Sequence, residues 1–431
     1  MPFSFDLAVI SLRKKKRMKR RSKVVRRRHE PTREIPFDLV VEILTRLPAK
    51  SLMRFRSVSK LWSSLICSQY FTKRFQRLSS SSPRLYMNLS FFDNSHLKDA
   101  LLSASPRYDS GNTISSFEAD QDLTIPAMRG YYHVSQVFRG LMCLMNEKSA
   151  KIYNTTTRQL VVLPDIEESS IIPEDHKYKK IMYHICHDPV HDQYKVVCTV
   201  SKTRGEVLSR YMSEYWVLQL GGDVSLRRWR KVPCQCPPHM TLTQGLTING
   251  RLYSLAWIHL PDSVLVSFDV SSEEISVHQV PKDAEWPYGD LIEYGEKLAI
   301  LEFSRLQREG KTKLWVMEDA MKNRWSKKPM DLHPSQLNLL KMHIGDNMSL
   351  RVQGTTRKGE VILVPRVKSK TDYQPGVVMM EPQIRAFFYI FLYDLQKNDM
   401  RKVEIKETPN RYLTYTCDIA GFDAVENLMY L

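Results

Sequence analysis

Between positions 35 and 66 the chain reads IPFDLVVEILTRLPAKSLMRFRSVSKLWSSLI, a strongly helical pattern in a piece too short to build a core of its own. Leu39, Val40, Ile43, Leu44 and Leu47 recur at spacings of three and four, which places them on one face of a helix. Pro36 suits the first helical position, where its missing N–H would go unpaired anyway. Asp38 and Glu42 fall in the first two turns, where the helix dipole favours negative charge. Pro48 is expected to stop this helix. A second helix is predicted around Leu52 and Phe55, and a third around Val58, Trp62, Leu65 and Ile66, with Ser57 and Ser59 marking the turn between them. Pieces of this size, below roughly 40 residues, usually need a metal, disulfides or another chain to be stable. The stretch holds no cysteine pair and no ligand cluster. Its pattern therefore predicts a module that docks on a partner.

The order and spacing of these residues closely resemble an F-box. The matching features are Ile35-Pro36, Val41-Glu42-Ile43-Leu44, Leu47-Pro48, Lys50-Ser51-Leu52, Arg54-Phe55-Arg56 and Val58-Ser59-Lys60-x-Trp62; Ser59 stands where many members carry Cys, a change expected to alter little. The resemblance implies binding to a Skp-type adaptor and, through it, to a cullin. On that reading Ile35, Pro36, Leu39, Ile43, Leu44, Leu47, Pro48 and Leu52 lie at or near the adaptor, while Phe55, Val58, Trp62 and Leu65 hold the three helices together.

The net charge of +17 is concentrated at one end. Residues 1–28 carry twelve Lys and Arg against Asp6, so they supply +11, and the other residues together only +6. Arg13, Lys14, Lys15, Lys16, Arg17, Lys19, Arg20, Arg21, Lys23, Arg26, Arg27 and Arg28 repel one another, and residues 1–30 are expected to form a disordered tail. Such a run reads first as a nuclear-import signal, second as a solvated tail without a role, and third as a sequence-blind patch for nucleic acid or an acidic partner. No aromatic residue interleaves it, so base stacking is not offered. Translation from Met18 instead of Met1 would remove five of the cations. Seven scattered cysteines do not make a disulfide framework and suit a reducing compartment. The apolar stretch Leu7 to Leu12 precedes the basic run, the reverse of a secretory signal. With no apolar run long enough to span a bilayer, the expectation is a soluble protein of nucleus, cytoplasm or both, with no membrane partner.

Ser79 to Pro83 is a polar, breaker-rich linker that separates a helical unit, residues 31–78, from a β-rich body, residues 84–431. Phe71 and Phe75 are expected to cap the helical unit. In the body, short β-rich runs such as Tyr194 to Val200, Val264 to Val270 and Ala386 to Leu395 alternate with turn signals such as Gly221-Gly222-Asp223 and Asn249-Gly250. A rough repeat is visible, in which a strand ends in an aromatic or apolar pair, polar residues follow, and a second strand ends near a proline. It runs through Ile152-Tyr153-Asn154, Tyr215-Trp216-Val217-Leu218, Ser267-Phe268-Asp269, Leu314-Trp315-Val316 and Leu392-Tyr393-Asp394. The central copies lie about 50 residues apart, the spacing of propeller blades. These segments, with Asp188-Pro189-x-x-Asp192-x-Tyr194-Lys195 and Ile248-Asn249-Gly250-x-Leu252-Tyr253, resemble the plant F-box-associated domain, whose fold is kelch-like. The predicted class is thus α+β and multi-domain: a small all-α three-helix unit followed by an imperfect β-propeller-like domain of unstated blade number. Its tryptophans and tyrosines are read as core.

No phosphate-binding glycine loop and no Cys-x-x-Cys pair occurs. Cys234-x-Cys236 with His239, and His184-x-Cys186-His187, are read as reduced thiols and turn histidines, and Glu167-Glu168 and Glu273-Glu274 as solvated loop or strand-edge acids. The expectation is no catalytic residue, no cofactor and no metal. The function implied is that of a non-catalytic substrate receptor in an SCF-type cullin ubiquitin ligase, with an unidentified protein target bound for ubiquitination and proteasomal degradation. The alternative is a propeller protein that binds nucleic acid or chromatin through the basic tail.

Overall fold

The computed structural model describes residues 35–78, 83–93, 96–125, 133–146, 149–172, 179–203, 211–221, 227–259, 262–281, 283, 289–356, 358–367, 387–406, 414–423, 427–429 and 431. The basic tail and linker residues 79–82 lie outside this set. The chain divides into two compact units, Met1–Ser79 and Ser80–Leu431.

Among its described residues the first unit holds four helices: α1 (Phe37–Thr45), α2 (Ala49–Arg56), α3 (Lys60–Ile66) and α4 (Gln69–Leu78). Pro36 precedes α1 as its cap, and its carbonyl accepts from Val40 N–H at 3.1 Å. Pro48 does not end α1, which stops at Thr45; it opens α2, its carbonyl accepting from Ser51 and Leu52 N–H. Ser59 is more than a neutral replacement, because its hydroxyl caps α3 by accepting from Trp62 N–H at 3.2 Å. The core draws on all four helices through Val41, Leu44, Ala49, Leu52, Ile66, Phe71 and Phe75, all buried. The fourth helix, not anticipated as a helix, thus supplies two of the largest side chains in that core.

The described strands of the second unit form a ring of six blades. Blade 1 contains β1 (Arg84–Asp93), β2 (His96–Tyr108) and β3 (Ile114–Asp122). Blade 2 is β4 (His133–Phe138), β5 (Leu141–Met145), β6 (Ala150–Asn154) and β7 (Leu160–Val162). Blade 3 is β8 (Lys180–Asp188), β9 (Gln193–Thr203), β10 (Tyr211–Leu220) and β11 (Arg230–Val232). In blade 4 the innermost strand is broken into β12 (Met240–Thr241) and β13 (Leu246–Ile248), both paired with β14 (Arg251–His259) and followed by β15 (Asp262–Asp269) and β16 (Ile275–Gln279). Blade 5 is β17 (Gly289–Tyr294), β18 (Lys297–Glu302), β19 (Lys311–Asp319) and β20 (Arg324–Asp331), with a short helix α5 (Leu306–Glu309) before β19. Helix α6 (Pro334–His343) leads to blade 6, β21 (Met348–Thr355), β22 (Glu360–Val367), β23 (Tyr389–Asp394) and β24 (Asp399–Lys406). The last strand, β25 (Thr414–Asp423), returns to blade 1 and pairs antiparallel with β1, with Leu89 opposite Cys417. Blades 6 and 1 also join at their outer edges, where β24 pairs parallel with β3. The innermost strands follow one another in a closed cycle, from β25 past β4, β8, β12, β13, β17 and β21 back to β25.

Inner strands such as β9 and β10 are covered on both faces, and side chains alternate between them. On β10, Trp216 and Leu218 pack toward blade 2, while Tyr215 and Val217 pack toward blade 4. Among the described residues an apolar cluster lies between each pair of neighbouring blades. Leu306 of α5 and Leu340 of α6 enter the cluster between blades 5 and 6.

The repeat read from the sequence is the hairpin between the third and fourth strands. Its small polar residue makes an Asx turn. Asn154 Oδ1 accepts from Thr156 and Thr157 N–H, Asp269 Oδ1 from Ser271 and Ser272 N–H, and Asp394 Oδ1 from Gln396 and Lys397 N–H. Four residues on, the backbone turns left-handed, at Arg158 (φ 62°), Glu273 (φ 62°), Asn323 (φ 48°) and Asn398 (φ 53°). Tryptophans tie the outer edges together: Trp229 Nε1 donates to Pro164 O at 2.7 Å, and Trp325 Nε1 to Gln279 O at 3.2 Å.

Candidate partner-docking surface

Helix α1 is apolar on two sides. Val41, Leu44 and Thr45 face inward and are buried. The other side is left open, with Ile35 60% exposed and Leu39 and Ile43 each 53% exposed. Pro36, Phe37 and Pro48 are also exposed, and Leu47 is half-buried. Four residues, one helical turn, separate Leu39 from Ile43, so the two form a continuous strip. Glu42, between them in sequence, bonds Arg46 at 2.7 Å and Arg74 of α4 at 2.6 Å. Those hydrogen bonds, Arg74 first, hold its carboxyl below the usual carboxylate range.

The expected docking set needs correction at two positions. Leu44 and Leu52 are 3% and 0% exposed, because they point between the helices, and they belong to the core. The expected core set changes as well. Phe55 and Trp62 stack at 5.5 Å and are half-buried, as is Leu65, but Val58 lies in the turn before α3 and is 66% exposed. Leu61 and Tyr70, not singled out in the sequence, are also exposed. Phe71 and Phe75, expected to cap the helical unit, lie one turn apart on α4 and stack on each other at 6.4 Å.

In the propeller, the most distinctive sequence motif proves to be a lock between blades. Asp188, at the end of β8, is fully buried. Burial alone would push its carboxyl up, but hydrogen bonds from Ser271, His191 and Lys195 hold it well below the usual range. Lys195 Nζ lies 3.1 Å from Asp188 and 3.1 Å from Glu273, and donates to Val270 O at 2.7 Å. Val270, Ser271 and Glu273 belong to blade 4, so the motif clamps blade 3 to its neighbour. Glu273 is therefore not a solvated acid; Arg230 pairs with it too. Glu167 and Glu168 are exposed.

Blade 3 also carries a cavity of about 370 Å³, lined in part by Met212, Glu214, Lys231 and Cys234. Ser169, Ser170, Trp216 and Lys231 all donate to the Glu214 carboxylate. Burial raises that carboxyl, and the four donors outweigh it, holding it down to about 2. Its acceptor sites are spoken for, which is the pattern of a structural acid. His239 Nε2 bonds the Tyr215 hydroxyl at 2.6 Å, and His187 pairs with Asp192 at 2.9 Å. His184 and Cys186 are buried in β8. Among the described residues, no three His, Cys, Asp or Glu side chains stand together as metal ligands would. The tryptophans read as core are so at Trp216 and Trp315, which are 1% and 6% exposed.

Comparison with known proteins gives the same division of the chain. Residues 33–74 match the F-box domain, and residues 88–425 match the F-box associated beta propeller domain. Two Arabidopsis thaliana proteins, F-box protein At4g19940 and F-box/kelch-repeat protein At4g19930, are each 58% identical to it, with both chains covered in full. F-box only protein 8 of the same plant is 44% identical over 69% of this chain and 98% of its own length. The exposed strip on α1 and the six-bladed ring are therefore the two halves of a plant F-box protein, and the chain belongs to that family, in the branch carrying an F-box-associated β-propeller domain.

Proposed function

We propose that this chain is the non-catalytic substrate receptor of an SCF-type cullin ubiquitin ligase. Its helical unit binds a Skp-type adaptor, and through it a cullin, along Ile35, Pro36, Leu39, Ile43, Leu47 and Pro48. Its propeller holds a target protein for ubiquitination and proteasomal degradation. Tethering then raises the target's effective concentration near the ubiquitin-charged enzyme, with no chemistry required of this chain.

The observation that supports the reading is the open strip on α1. Ile35, just before α1, and Leu39 and Ile43, one turn apart on it, are aliphatic and more than half exposed, in a unit whose own core is already filled by other residues. Exposed apolar side chains gathered in this way mark an interaction surface. The test is co-purification of the full chain with a Skp-type adaptor, before and after Ile43→Arg. The reading expects the complex to be lost while the helical unit stays folded; an unchanged complex would remove its basis. We also propose that the basic run, residues 13–28, directs nuclear import, with the protein in nucleus, cytoplasm or both. Removing residues 1–28 should shift a fluorescent fusion to the cytoplasm and leave adaptor binding intact. Loss of nucleic-acid retention at low salt on the same deletion would favour the nucleic-acid reading instead.

A further inference from the structure

The connector between blades 3 and 4, which runs from β11 to β12, contains Cys234-Gln235-Cys236. Three other cysteines of the propeller, Cys143, Cys186 and Cys198, are buried inside blades. Cys234 and Cys236 are both half-exposed. Cys236 follows Cys234 by two residues, and burial and the neighbouring Cys234 thiol together raise its thiol. The Cys236 thiol donates to Ile275 O of blade 4 at 3.3 Å. Cys234 forms part of the wall of the blade 3 cavity.

We infer that Cys234 and Cys236 form a dithiol modification site, which a hydroperoxide entering the blade 3 cavity converts reversibly to an intramolecular disulfide. Cys234 is the attacking sulfur. As thiolate it takes the terminal oxygen of the peroxide, the O–O bond breaks, and the leaving oxygen departs as water (or an alcohol) once protonated, leaving Cys234 as a sulfenic acid. Cys236 is pushed up to about 11 by burial and by its neighbour, so it waits as a thiol. Its sulfur then displaces the sulfenic oxygen, the S–S bond forms, and the released hydroxide takes the Cys236 proton to leave as a second water. Two thiols have been oxidised and one peroxide reduced. Closure brings the sulfurs to about 2.0 Å. It removes the Cys236 hydrogen bond to Ile275 and draws Cys234 out of the cavity wall. A ring closed across a single intervening residue is strained, and strained disulfides are the readily reduced ones.

The test is differential alkylation of the full chain, with Cys67 as reference because it is exposed. Purified reduced protein is treated with hydrogen peroxide, alkylated, digested and read by mass spectrometry. The expected result is joint loss of alkylation at Cys234 and Cys236, in a peptide two hydrogen atoms lighter, with full recovery after dithiothreitol and no change at Cys67. In Cys236→Ser the recoverable loss at Cys234 should give way to a sulfenic acid trapped by dimedone. Independent alkylation of the two positions after peroxide, oxidation beyond the sulfenic stage in the unmutated chain, or a disulfide to any other cysteine would each overturn the assignment. Circular dichroism of each sample shows whether the chain remains folded, so that labelling caused by unfolding is scored as a result against the site.

Discussion

Replacing Leu39 and Ile43 together by alanine separates docking from folding. Both side chains are 53% exposed in the free chain, so about half of each is available to a partner. Burying a whole Leu or Ile side chain is worth about 1.5–3 kcal/mol, which makes the unburied half worth roughly 1 kcal/mol at each position. Losing both should cost about 2 kcal/mol of binding free energy, or roughly thirtyfold in Kd. The same change removes little from the interior, and the melting temperature of the helical unit should barely move. Leu44→Ala is the contrasting case. Leu44 is 3% exposed, and its truncation should cost on the order of 2–5 kcal/mol of stability, enough to unfold a unit of this size. The assay is calorimetric titration of a Skp-type adaptor into the full chain, paired with thermal denaturation of each variant. An unchanged Kd for the double variant would refute the docking assignment. Equal losses of binding and of melting temperature would refute the division of α1 into an open and a closed side.

Three further outcomes follow from the propeller. Lys195→Met leaves the Asp188 and Glu273 carboxylates facing each other without their shared cation, and should lower stability by about 3–5 kcal/mol in urea denaturation. Glu214 is held down to about 2 against an ordinary value of 4.5, so its contribution is fully present above pH 4.5 and fades as pH falls through the interval down to 2. The denaturation midpoint of the wild-type propeller should fall across that interval, and Glu214→Gln should flatten the fall. Asn154→Ala removes the side-chain bonds to Asn427 O and Met429 O, both 3.0 Å, along with its own turn. It should cost about 1–3 kcal/mol and speed hydrogen exchange in β25, measured by mass spectrometry.

The parts that the sequence disclosed are those governed by local rules. Leu39 and Ile43 follow from helical period alone, and Tyr153, Trp216, Phe268, Trp315 and Tyr393 mark the third strand of five successive blades, with the same Asx turn following at Asn154, Asp269 and Asp394. What it hid depends on distant residues. Period and composition do not say which apolar side of α1 faces inward, since both sides carry branched aliphatics; the partners Phe71 and Phe75 decide it. Asp188 and Lys195 read as family signature, but the acceptors in blade 4 that make them a clamp lie some 75 positions away in the chain. The first blade escaped the repeat. Its third strand ends in Arg107-Tyr108 with no apolar pair, and its Asx turn is built differently, with Asp109 accepting from Gly111 and Thr113. Its innermost strand comes from the far end of the chain, a pairing that no local pattern can announce.

That borrowed strand imposes an order on synthesis. A chain emerging from the ribosome presents its helices first, and β1 soon after, with one edge bare until β25 arrives more than 300 residues later. During that interval Leu85, Met87 and Leu89 have no antiparallel neighbour on one side, the condition in which stray strands add to an open edge. On the function proposed above, nascent chains and products of premature termination would expose the docking helix while lacking a closed ring to hold anything, and they would compete for the adaptor without delivering a cargo.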